Sequence, residues 1–253
     1  MSQPIREGNQ KMKDEADDPR RRILIQMLAA GMFGTGSAAS NLALAQILGS
    51  PPSKLPPGKS IYRISGEVSV NGQKANLDTK IAGGSTIQTG SNSEVVYAVG
   101  ESAYIARPNT QIVVETTTAE SSIVSGLRLL AGKLLSVFPT RKPVQIQTKV
   151  ASIGIRGTGV YLESDPEQTY FCTCYGVADV SALDDPSSKE TVAASHHDKP
   201  LYIVANEPAG RKIRTAPFVN HTDQELMLIE TLVGRQPPFV FPKADYSGPR
   251  RSY

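Results

Sequence analysis

The chain holds two cysteines and three histidines in 253 residues, and all five fall in one C-terminal stretch. They stand as Cys172-Thr173-Cys174, His196-His197-Asp198 and His221-Thr222-Asp223. Thiolate and imidazole suit zinc, copper and iron. Asp198 and Asp223 each lie within two residues of a histidine, where a carboxylate could orient a ring or bind directly. The expected metal set is therefore Cys172, Cys174, His196, His197 and His221, with Asp198 and Asp223 as orienting groups or ligands. Zinc or copper fits two thiolates and one or two imidazoles best, and iron comes third. The spacing matches no closed zinc pattern. The competing reading is an unlinked pair of strand cysteines and ordinary histidines.

Elements must bring these residues together. Thr169 to Gly176 reads as a strand, and alternation puts Tyr170, Cys172 and Cys174 on one face. Phe171, Thr173 and Tyr175 then take the other. Strand neighbours two apart lie roughly 6.5 Å apart at Cα, near the outer limit for an undistorted disulfide. A bridging ion fits that spacing more easily. His196 and His197 could both reach a site only from a loop, which Ser195 and Asp198-Lys199-Pro200 suggest. His221 precedes Thr222-Asp223-Gln224-Glu225, a capping box. A helix should follow through Leu226, Ile229, Leu232 and Val233 and stop at Gly234. There the bland reading of Asp223 is a first-turn carboxylate favoured by the helix dipole.

Other catalytic signatures are weak. Gly157-Thr158-Gly159 lacks the Lys-Ser/Thr and the helix of a phosphate-binding loop. There is no Gly-x-Ser-x-Gly elbow and no His-Glu-x-x-His helix, and no residue singles out a serine triad.

Upstream of the cysteines the language is that of strands. Gly66–Gly72 alternates and ends on Asn71-Gly72, the strongest short hairpin signal. Short β-rich runs recur at 85–90, 94–99, 102–106, 110–115, 126–130, 132–138, 144–148, 151–155 and 158–163. Such regular strands imply an all-β sandwich, barrel or coil of strands. The order of Gly-x-Val-x-Val-Asn-Gly (66–72), Ile-x-Thr-Gly-x-x-Ser (87–93), Leu-x-x-Gly-Lys-Leu (129–134) and Ile-x-Thr-x-x-Ala-x-Ile-x-Ile-Arg-Gly-Thr (146–158) resembles a FecR domain. That family is the periplasmic β-rich module of ferric-citrate signalling proteins and of other exported bacterial proteins. The resemblance covers roughly residues 60–182, and Ile155-Arg156-Gly157-Thr158 is its most specific part. Exported proteins of this kind with a Cys-x-Cys-Tyr-Gly segment and a downstream His-His-Asp are similar too. Classical regulators of the family carry a helical anti-sigma region before a membrane span. Here about twenty polar residues precede the apolar stretch, too few for a packed domain, so the resemblance implies no direct transcriptional signalling.

At the N-terminus, Arg20-Arg21-Arg22 precedes Ile23–Ala30, a mild Gly/Ala/Ser-rich apolar run and Ala43-Leu44-Ala45. This is a basic region, an apolar region and an A-x-A cleavage site. Paired arginines before a mild apolar region resemble a twin-arginine signal, although Pro19 and Ile25 depart from it. The other reading is an uncleaved anchor, because residues 23–48 are long enough to cross a bilayer. No other stretch is. Removal of residues 1–45 takes six basic and five acidic residues, leaving 21 and 19. A nearly neutral mature chain lacks the concentrated positive footprint that nucleic acid requires. Zero Trp argues against a stacking platform for bases or sugars.

The expected organisation is a signal peptide at 1–45, a Pro-rich linker at 46–60 and a FecR-like all-β domain at 61–182. A C-terminal extension follows at 183–253, with a helix near 222–233 and an extended tail. The expected function is that of an exported, periplasmic binding or structural protein of the cell envelope with a Cys/His metal site. Its partner or ligand in the envelope is not specified by the sequence. A metal-dependent or thiol-based oxidoreductase using the same residues is the second reading, and a metal-free interaction module the third.

Overall fold

The computed structural model describes residues 52–117 and 123–238. The signal peptide expected at 1–45, the start of the expected linker and the residues beyond 238 lie outside the described residues. Fourteen strands and one helix make up the described fold. The strands are β1 (Ile61–Ser65), β2 (Val68–Val70), β3 (Gln73–Lys74), β4 (Thr86–Thr89), β5 (Glu94–Val99), β6 (Ser102–Ala106) and β7 (Gln111–Thr116). They continue as β8 (Val124–Val137), β9 (Pro143–Gln147), β10 (Ala151–Ser164), β11 (Gln168–Ala182), β12 (Asp185–Ala194), β13 (Leu201–Val204) and β14 (Ile213–Thr215). Helix α1 spans Asp223–Leu232. The fold is all-β, as the recurring short runs imply. No helix among the described residues is long and apolar enough to cross a membrane.

Local chemistry explains the turns. Asn71 and Gly72 both take positive φ, at 53° and 75°. Those angles close the tight hairpin that pairs Val70 with Gln73, the turn type whose twist matches its strands. Three strands are long, and two of them are long because runs that read separately in sequence join. β8 absorbs 126–130 and all but the last residue of 132–138, and β10 absorbs 151–155 and 158–163. Each long strand changes neighbours partway. The first part of β8 pairs with β7 and, in parallel, with β9, and the second with β6 and β10. The first half of β11 pairs with β13 and the second with β12. Hydrogen bonding therefore continues past residue 182, and β12 to β14 extend the same sheet.

Alternation along the central strands supplies two apolar layers. Leu134, Val160 and Phe171 enter the main core, with Ile87, Ile112, Leu127 and Ile153. Their neighbours Leu135, Tyr161 and Cys172 point to the opposite face, which α1 covers with Leu226, Ile229 and Leu232. Each of those three helix side chains is essentially sealed, which stabilises by about 1.5–3 kcal/mol per residue. With both faces covered, β5 and β6 can be almost continuously apolar rather than alternating.

Helix α1 begins as its sequence dictates. Thr222 is its N-cap, and the Thr222 hydroxyl and Glu225 carboxylate cap each other's backbone N–H groups. Gly234, at φ 76°, follows the C-cap residue Val233. The preceding linker touches the far end of the helix, where Leu55 N–H donates to Leu232 O at 3.0 Å.

Candidate metal centre

Three separate chain segments build the site. Cys172 and Cys174 lie on the first half of β11, His197 in the bend after β12, and His221 just before α1. A β-bulge shapes the strand segment. Tyr175 faces Gly159 and Thr173 faces Val160, so Cys174 has no partner opposite. The extra residue breaks strict alternation. Tyr175, expected beside Phe171 and Thr173, instead packs in the helix-facing layer with Cys172 and Cys174, and its hydroxyl bonds Glu230 Oε1. Gly176, at φ 95°, follows the bulge, and a Cβ there would sit 2.6 Å from Thr158 Cβ. His197 N–H donates to Cys174 O at 2.9 Å, tying the histidine bend to the bulge. The same histidine sits at φ 54°, in the left-handed region.

The side chains converge. One ligand atom from each of Cys172, Cys174, His197 and His221 falls within 4.8 Å of every other, and all four residues are buried. Cys172 Sγ lies 3.6 Å from His197 Nδ1, and His197 Nδ1 lies 3.1 Å from His221 Nε2. Both cysteines are free thiols. Partners outside the cluster orient both rings. His221 Nδ1 is 2.7 Å from Val219 O, and a carbonyl can only accept, so the proton sits on Nδ1 and the Nε2 lone pair points inward. His197 Nε2 is 2.9 Å from Asp223 Oδ1, which likewise leaves Nδ1 for the interior. Aromatic rings wall the cluster: Tyr161 stacks on His221 at 4.5 Å, and Phe218 lies 4.3 Å from His197.

Asp223 joins the two histidine groups. Its other oxygen lies 2.8 Å from His196 Nε2, so His196, His197 and Asp223 form a second group that shares His197 with the first. His196 itself does not belong to the cysteine cluster. Asp198 does not join either group. Its Oδ2 accepts from Ser195 N–H at 2.6 Å, Ser195 Oγ at 2.9 Å and His196 N–H at 3.2 Å, so it shapes the bend that presents the two histidines.

Electrostatics follow from burial and proximity. Burial alone would raise the Cys172 thiol, but Cys174, His197 and His221 beside it hold it well below its usual value. Cys174 is pushed well up by burial and by the sulfur of Cys172 beside it. Burial lowers His221. Burial would lower His197 too, yet Asp223 and Cys172 bring it up to about 9. Without a cation the cluster thus favours one thiolate against one imidazolium. A cation can take the place of that shared proton, since metal ligands bind deprotonated. This buried Cys/His/Asp cluster could hold a metal ion.

One contributor, Arg107, carries no sequence signal. Arg107, fully buried, donates from Nη2 to both oxygens of Glu225 at 3.0 Å. The guanidinium carbon lies 5.2 Å from the centre of the Tyr161 ring that stacks on His221. The capping box marks Glu225, but nothing in sequence pairs it with a residue 118 positions away.

Among known proteins, two crystal structures described as "a putative anti-sigma factor from Parabacteroides distasonis ATCC 8503", at 2.50 and 1.65 Å resolution, align with part of this chain. Each aligns with a TM-score of 0.42 and 12% identity, over 52% of this chain and 58% of that chain. This chain therefore spans a little over half of their length. No protein-family profile matches the sequence, and no curated protein matches it.

Proposed function

We propose that this protein is an exported FecR-like module of the bacterial cell envelope in which Cys172, Cys174, His197 and His221 hold one zinc ion. The ion fastens the C-terminal extension to the β domain. One observation carries the metal reading: two imidazole nitrogens and a cysteine sulfur converge in one buried place with spacings close to the edge lengths of a tetrahedral zinc site. Zn–S near 2.3 Å and Zn–N near 2.05 Å place sulfur about 3.6 Å from nitrogen and the nitrogens about 3.3 Å apart. The corresponding separations are 3.6 and 3.1 Å. Asp223 and the Val219 carbonyl supply the outer partners that metal-bound histidines use.

Four protein ligands close a tetrahedral shell, which is the structural kind of site. The oxidoreductase reading would need a substrate to reach a sulfur, and both cysteines have 0% exposure. Zinc supplies no redox chemistry of its own, and it protects paired thiols in an oxidising compartment. The FecR-like reading rests on the order of motifs, whose hairpin Asn71-Gly72 and Ile155-Arg156-Gly157-Thr158 corner fall between β2 and β3 and inside β10. The periplasmic reading rests on the twin-arginine-like leader, and export in the folded state would allow zinc loading before translocation.

Elemental analysis of protein purified from its native export compartment tests the reading. About one equivalent of zinc is expected from the four-ligand shell. Protein free of transition metal after purification without chelators would leave a metal-free interaction module. Changing Arg20, Arg21 and Arg22 to Lys keeps the charge and should stop twin-arginine export. Undiminished export of that variant would mean the general secretory route.

A further inference from the structure

We propose that His196 and Asp223 form the gateway through which a divalent cation enters and leaves the buried centre. This rests on the zinc reading above and adds a kinetic role to it.

The argument starts from exposure. Among the four central residues, Cys172, Cys174 and His221 have 0% exposure and His197 has 8%. An ion that reaches the cluster without unfolding the sheet must therefore pass His197. On that side stands His196, whose side chain is 37% exposed while that of Asp223 is 0%. A ligand atom from each of His196, His197 and Asp223 falls within 4.8 Å of the others. The two groups share His197, so one histidine touches both the outer and the inner position. Holding His197 in place requires only one Asp223 oxygen. The second oxygen, on His196, is what makes an outer pair of nitrogen and oxygen donors at 2.8 Å.

A cation taken between His196 Nε2 and Asp223 Oδ2 needs donor–ion distances of about 2.0–2.2 Å. The pair must open only slightly from its present separation. From there the ion moves inward past His197, and the protons it displaces from His197 and Cys174 pass to solvent. Asp198 sets the bend from below by accepting from Ser195 and His196 N–H groups. The outer pair alone, with two donors, holds an ion weakly, as a transit position must.

A transit ligand changes rates in both directions and leaves the equilibrium alone. The experiment uses the full mature chain loaded with zinc. Release is followed with excess 4-(2-pyridylazo)resorcinol, and uptake is followed with cobalt(II) through its thiolate charge-transfer band. His196→Asn should slow uptake and release by about tenfold each, a barrier change of about 1.4 kcal/mol. Stoichiometry, the cobalt spectrum and the ratio of the two rates should stay as in the parent. His196→Glu restores an exposed donor and should recover most of the rate. Unchanged rates in His196→Asn would overturn the gateway. So would loss of bound metal at equilibrium, which would make His196 a ligand of the centre itself. A parent protein that takes up neither zinc nor cobalt would instead sink the metal reading on which the gateway rests.

Discussion

Arg107 Nη2 lies 3.0 Å from both carboxylate oxygens of Glu225, and the two side chains are only 1% and 3% exposed. The same carboxylate accepts from Thr222 N–H at 2.9 Å and so caps α1. One group therefore anchors the helix start to the residue just after β6, two residues from Asp223 and four from His221. Removing one partner of a buried pair strands the other's charge and typically costs about 3–5 kcal/mol. Glu225→Gln should lose stability on that scale in urea unfolding. Arg107→Met combined with Glu225→Gln should be less destabilised than Glu225→Gln alone. If the double variant were the worse of the two, the pair would not be coupled in this way.

Changing Cys172 or Cys174 to Ser should lower bound zinc and melting temperature together, because metal affinity at such a site is folding free energy. Inductively coupled plasma analysis and calorimetry on the same preparations check this. A Ser variant with full zinc and an unchanged melting temperature would end the four-ligand assignment.

Zinc removal should loosen one part of the fold first. The ion would join β11, the 195–198 bend and the start of α1, while the remaining sheet is held by its own ladders and core. Hydrogen exchange after chelation should therefore accelerate at 195–198 and 221–232 before it changes in β4, β7 and β9. Uniform acceleration across the sheet would argue against a local fastener.

Asp185 predicts an acid-side dependence. Its carboxylate accepts from Ser187 N–H, both the Ser187 and Ser188 hydroxyls and Gly210 N–H. The serine hydroxyls, then the Gly210 N–H, hold the group far below the ordinary carboxylate range. A carboxylate lowered on folding stabilises above its unfolded value of about 3.9, and that contribution fades as pH falls further. Asp185→Asn should thus melt below the parent at pH 7, and the gap should narrow below about pH 4. A gap that stays constant down to pH 2 would remove the charge from the explanation.

Gly159 is held open for a ring. A Cβ there would lie 2.5 Å from Tyr175 Cε1 and 2.8 Å from Cζ. Gly159→Ala must push Tyr175 and the neighbouring bulge aside, at a cost of about 1–3 kcal/mol. Because Cys174 is the bulged residue, cobalt binding should weaken in the same variant. Wild-type stability and cobalt affinity would show that the bulge absorbs the methyl group elsewhere.

The sequence by itself determined the β-rich class, the Asn71-Gly72 hairpin and the limits of α1. Each depends on contacts within a few residues: turn angles, alternation and a capping box. It also singled out Cys172, Cys174, His196, His197 and His221, because cysteine and histidine occur nowhere else in the chain. Only the tertiary structure decided which of the candidates meet. His196 and His197 are neighbours in sequence, yet a positive φ at His197 sends one ring to the sulfurs and leaves the other at the surface beside Asp223. Asp198 reads like an orienting carboxylate, but its side chain is engaged by the bend's own N–H groups. Tyr175 broke its alternation because β11 carries one more residue than β10 at the bulge, and register between strands is not a local property. The Arg107–Glu225 pair lay beyond sequence reading for the same reason: its partners sit on elements whose packing is set by two apolar faces of one sheet.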